Sequence, residues 1–125
     1  MYNDPQHDIV ACAGYGVINV TLRLIKDQLG ILADRIRQGH TPDVELFLST
    51  ADSMTSAVTT ISATPAWEDA RKQLLALISQ YRDLIALVPT RRGSLINAAI
   101  GEVLETHAIL VIARDRLAGR LGFRK

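Results

Sequence analysis

The chain has 125 residues, 48% of them apolar, with only two Phe and one Trp, which fits a single domain over residues 1–125 whose core is built from aliphatic side chains. A formal charge of +1 supplies no whole-molecule field for gathering nucleic acid or anionic lipid. The single cysteine, Cys12, excludes a disulfide within the chain, suits a reducing cytoplasmic setting and reads as a small buried hydrophobe.

Residues 5–38 read as the first helix. Asp4-Pro5 marks its start, because proline at the first helical position loses no intrahelical hydrogen bond and the preceding carboxylate can accept from an orphan N–H. Ile18, Leu22, Ile25, Leu29, Leu32 and Ile36 follow at spacings of 4, 3, 4, 3 and 4, one heptad seam and so one buried face. Val10, Ala13, Val17, Val20, Leu24 and Ile31 form a second apolar stripe, broken at Asp27, about 155° from the first at about 103° per residue. One core needs only one stripe, so the second is expected to be covered by something else. At about 1.5 Å per residue this helix spans about 50 Å against roughly 33–36 Å for its successors. Its start therefore overhangs or bends, with Gly14-Tyr15-Gly16 the place for a kink.

Thr41-Pro42 opens the second helix, whose seam is Val44, Phe47, Ala51, Met54, Val58 and Ile61. Nine of the sixteen residues from 49 to 64 are Ser or Thr, which compete for backbone hydrogen bonds, yet the 3/4 spacing survives them. Thr64-Pro65 opens the third, with Trp67, Ala70, Leu74, Leu77, Tyr81, Leu84 and Val88, and Pro89 stops it. After Gly93, Ser94 caps a fourth helix from Leu95 that carries Ile96, Ala99, Val103, Thr106, Leu110, Ala113 and Leu117. No segment alternates with period two over strand length. Connections at residues 39–41, 62–64 and 89–94 are short enough to hold successive helices antiparallel. The expected fold class is all-α: an antiparallel up-down-up-down four-helix bundle with a long first helix.

Little in this pattern points to chemistry. Metal-binding bundles repeat Glu-x-x-His on inward faces, whereas Glu102-x-x-Glu105 with His107 has the wrong spacing and no second copy, so no metal site is expected. Neither Cys12 nor a serine pairs legibly with His7, His40 or His107 as a nucleophile with its base. Gly14-x-Gly16 lacks the third glycine and the preceding strand of a dinucleotide fingerprint, and no cofactor is expected. The apolar runs at residues 9–20 and 108–113 fall short of the about 18 to 20 residues of a membrane span, and the first has no basic leader before it. No membrane span is expected.

Charge and exposure carry the rest. Residues 1–62 hold seven acids and four bases, residues 63–125 ten bases and six acids. The topology gathers Arg35, Arg37, His40, Arg91 and Arg92 at one end, a candidate contact for an anion or an acidic partner beside two positive helix N-termini. Outward positions of the second helix (Ser49, Ser53, Ser56, Thr60) and the third (Asp69, Lys72, Ser79, Asp83) are polar, so those helices face water. The first and fourth do not. Val10, Val17, Val20, Leu24 and Ile31 on one, with Leu104, Val111 and Ile112 on the other, form the expected partner-binding patch of several hundred Å², at about 25 cal/mol per Å² worth several kcal/mol before association costs. The expectation is a non-catalytic interaction module that forms a homodimer through these helices or grips a helical segment of another protein. Two alternatives remain. One is a small helical enzyme holding an anionic substrate between helices, which needs Arg114 or Arg71 to lean inward; the other is weak nucleic-acid association through basic residues 114–125.

Overall fold

The computed structural model describes residues 5–40, 42–60 and 65–121, with side chains described for all of these except 5–13, 65–66 and 120–121. Within them lie four helices, α1 (Pro5–Arg37), α2 (Val44–Thr59), α3 (Pro65–Leu87) and α4 (Gly93–Leu121), with a 3₁₀ turn at Val88–Thr90. There is no strand among the described residues, and the helices pack as a bundle. Their lengths of 33, 16, 23 and 29 residues correspond to about 50, 24, 35 and 44 Å. The near-equal successors expected from sequence are not found: α2 is short and α4 is long.

The predicted seams fill the core. Ile18, Leu22, Ile25, Leu29 and Leu32 of α1 meet Phe47, Ala51, Met54 and Val58 of α2, with Trp67, Leu74, Leu77, Tyr81 and Leu84 of α3 and Ile96, Val103 and Leu110 of α4. Ile61, together with the caps Asp4 and Thr64, lies outside the described residues. One departure concerns α3, which buries Ile78 and Ile85 in addition to its seam. It touches each of the other three helices, so it needs apolar side chains on two flanks where one seam was expected.

Helix ends show how the chain turns. α1 stops in a Schellman arrangement: His40 N–H donates to the Arg35 carbonyl at 2.9 Å and Gly39 N–H to that of Ile36 at 3.1 Å, with Gly39 at a φ of 77°. α1 is helical through Gly14-Tyr15-Gly16, so the N-terminal arm does not fold back there. α2 begins later than Thr41-Pro42 implies. Asp43 is its N-cap, the carboxylate accepting from Leu46 N–H at 3.2 Å, which leaves Pro42 ahead of the helix. Within α2, Thr50 and Thr55 donate to the carbonyls four residues back, so their hydroxyls find partners without unwinding the helix. α4 begins earlier than expected, at Gly93, with Ser94 already inside it. Arg91, at a φ of 57°, reverses the chain directly after the 3₁₀ turn, and Ile96 N–H donates to the Arg92 carbonyl at 3.0 Å.

Candidate functional site

The outer faces of α1 and α4 hold most of the large apolar side chains left in water. Val20 is 64% exposed, Ile109 58% and Ile112 53%, with Ile31 and Leu104 beside them in character. Ile109 was missed from sequence because its position lies off both the seam and the outer stripe. Leu46 on α2 and Leu95 at the start of α4 are also exposed. Three residues of the expected patch behave differently: Val17, Leu24 and Val111 are half-buried against the core, and the side chain of Val10 lies outside the described residues. The second stripe of α1 thus divides into a flank that packs and a ridge, at Val20 and Ile31, that does not. α4 from Gly93 to Gly119 is also long and apolar enough, by length and composition, to cross a membrane, and only 22% of its most apolar window is buried within the chain.

Between the two helices lies a cleft of about 450 Å³, lined by Tyr15, Asn19, Leu22, Arg23, Lys26, His107, Val111, Arg114 and Asp115. The spacing explains the set. Asn19, Arg23 and Lys26 on α1, like His107, Val111 and Arg114 on α4, stand at i, i+4 and i+7, one side of each helix. Facing residues run in opposite senses along the two helices. His107 Nε2 meets the Leu22 carbonyl at 2.7 Å, and Arg114 Nη1 donates to Asn19 Oδ1 at 3.0 Å. Arg114 also donates from Nε and Nη2 to Asp115 Oδ1 at 3.1 and 3.0 Å, and its side chain is only 22% exposed. Tyr15 is set by Trp67 of α3, their ring centroids 6.0 Å apart at 44°. The apolar surface predicted as one contiguous patch is therefore interrupted by a charged groove. In heptad terms Asn19, Lys26, His107 and Arg114 all fall at e, beside the seam, where an antiparallel pair of helices brings polar residues face to face. That position is the signal that would have found the cleft.

The cluster foreseen at the other end is only partly assembled. His40 and Arg91 line a second cleft of about 420 Å³, whose walls are mostly Ile36, Pro42, Val44, Val88, Pro89 and Ile96. Arg37 pairs with Asp34 on its own helix, and Arg35 and Arg92 are exposed without lining that cleft. Of the two arginines, either of which an anion-holding reading needed to lean inward, Arg114 lines the α1/α4 groove. Arg71 donates to both carboxylate oxygens of Glu68 at 2.8 Å.

No group of three or more His, Cys, Asp or Glu able to hold a metal occurs among the described residues. His107 is only 8% exposed, and its Nε2 carries the proton it shares with Leu22, since a carbonyl can only accept. Tyr81 is fully buried with its hydroxyl unpartnered among the described residues, and burial pushes its phenol far above the ordinary range. Comparison with protein-family models, with curated proteins and with solved structures finds no match.

Proposed function

We propose that this chain is a non-catalytic protein–protein interaction module that closes a two-fold homodimer through the outer ridges of α1 and α4. The observation that carries the reading is the placement of Val20, Ile31, Leu104, Ile109 and Ile112 in water on these two helices, while Leu46 is the one large apolar side chain so exposed among the described residues of α2 and α3. An isologous dimer of two such faces covers both ridges at once. Apolar patches of several hundred Å² usually mark a contact surface. The same surface suits a helical segment of another protein.

Hydrocarbon is a poorer fit than protein for the outer face of α4. Glu102 and Glu105 stand exposed near the middle of that helix, and an acidic group at the centre of a bilayer costs about 3 kcal/mol. A protein surface can leave both carboxylates at its wet rim.

Light scattering over a range of concentrations tests the reading. The unaltered chain is expected at twice the mass of 13.7 kDa, and a Val20→Glu, Ile112→Glu variant at the monomer mass. Both positions are exposed, so their replacement leaves the core intact. A monomer mass for the unaltered chain at every concentration removes the homodimer.

A further inference from the structure

We infer that the cleft between α1 and α4 is a binding site for a small organic anion bearing a phosphate or carboxylate group. Three cations, Arg23, Lys26 and Arg114, line it against one carboxylate, Asp115. Arg23 and Lys26 have no acidic partner among the described residues, so the groove keeps an excess of positive charge that an anion neutralises. Arg114 supplies the fixed point. A guanidinium has five N–H donors; three are engaged, one by Asn19 Oδ1 and two by Asp115 Oδ1. Two remain, on a side chain already oriented by those bonds, which lowers the entropy lost when a ligand is gripped.

The rest of the wall determines the class of ligand. Val111 offers an apolar surface, and the Tyr15 ring stands against Trp67, so part of the occupant is carbon and not only charge. The groove, of about 450 Å³, is open to solvent along one side, so the fixed cations, and not enclosure, carry the recognition. The rival cationic end brings a single arginine, Arg91, to its cleft, because Arg37 pairs with Asp34 and Arg35 and Arg92 do not line it.

Calorimetric titration of the full chain at low salt tests it, with phenyl phosphate, phenylacetate and inorganic phosphate as probes and benzyl alcohol as the neutral control. The expected result is saturable 1:1 binding of an aryl anion, the tighter of the two identifying phosphate or carboxylate as the preferred head. Arg23→Gln and Lys26→Gln are each expected to weaken it about tenfold, the scale of one charge-assisted hydrogen bond. Both residues are exposed, so circular dichroism should be unchanged. Arg92→Gln, at the far end, is expected to bind as the unaltered chain does. Absence of saturable binding by either aryl anion overturns the inference, as does full affinity in the Arg23→Gln, Lys26→Gln double variant or equal weakening by Arg92→Gln. Binding of benzyl alcohol or inorganic phosphate as tight as that of the aryl anions overturns it too. Repeating the titration in the Val20→Glu, Ile112→Glu variant separates the two proposals, since anion binding there survives loss of the dimer.

Discussion

His107 on α4 donates a hydrogen bond to the main-chain carbonyl of Leu22 on α1, 2.7 Å away and 85 positions earlier in sequence. It fastens one helix to the backbone of another at the floor of the α1/α4 cleft, where both residues are buried. A side-chain-to-side-chain contact can shift as rotamers change. This bond ties α4 to the backbone of α1 at the register that also brings Arg114 to Asn19.

His107→Leu keeps much of the buried volume and removes the bond. The cost is expected to be about 1 kcal/mol, the net worth of one hydrogen bond. Urea denaturation should show a lower midpoint with an unchanged slope. A variant as stable as the unaltered chain would mean that the packing of α1 on α4 sets the register without this bond.

Tyr81 carries the opposite sign. Its hydroxyl is buried with no partner among the described residues, so Tyr81→Phe is expected to stabilise the fold by about 1 kcal/mol through removal of an unsatisfied polar group. The same burial raises its pKa in the folded state, whereas the unfolded chain ionises near the ordinary value of about 10. Above that pH the unfolded state holds fewer protons than the folded one, so stability is full below about pH 10 and falls as pH rises beyond it. Chemical denaturation between pH 9 and pH 11 should show this fall, and Tyr81→Phe should lessen it.

Two left-handed residues allow a test of backbone strain. A Cβ added at Gly39 would meet nothing within 4 Å, yet its φ is 77°, so Gly39→Ala is expected to cost about 1 kcal/mol from conformation alone. Arg91 holds a φ of 57° without being glycine. Arg91→Gly should therefore gain about 0.5 kcal/mol, the strain relieved being partly offset by the freer unfolded chain. Thermal melts of the two variants should move in opposite directions.

The caps make a matched pair. Asp43→Ala removes the acceptor for Leu46 N–H and should destabilise the chain by about 1 kcal/mol. Ser94→Ala should leave stability within about 0.5 kcal/mol, because Ser94 lies inside α4 and not at its cap. Equal losses at the two positions, measured by denaturant titration, would contradict the helix starts described above.

For the outer face, glutamate at Val20 and Ile112 should abolish self-association, whereas glutamate at Val17 and Leu24 should lower stability first. The latter two are half-buried against the core, so a charge there meets a desolvation cost within the monomer. Melting temperature and solution mass, measured on both pairs, separate a surface that binds from a flank that packs.

Spacing along the chain carried the four helices and nearly all of the core, since a 3/4 recurrence of aliphatic residues has one low-energy solution when an apolar stripe must leave water. It also marked the exposed polar residues of α2 and α3, such as Ser53 and Asp83, but not the exposed Leu46 at an outward position of α2. Boundaries escaped it at α2 and α4, where several residues could serve as caps and the choice between Thr41 and Asp43, or Ser94 and Arg92, depends on the path of the preceding turn. The cleft escaped it as well. Asn19 and Arg114 are unremarkable polar residues until two helices pass in opposite senses at one register and leave a groove between them. Which half of α1's second stripe is covered, and which cations share a groove, are properties of interhelical packing, and no single helix's sequence encodes its neighbour's position.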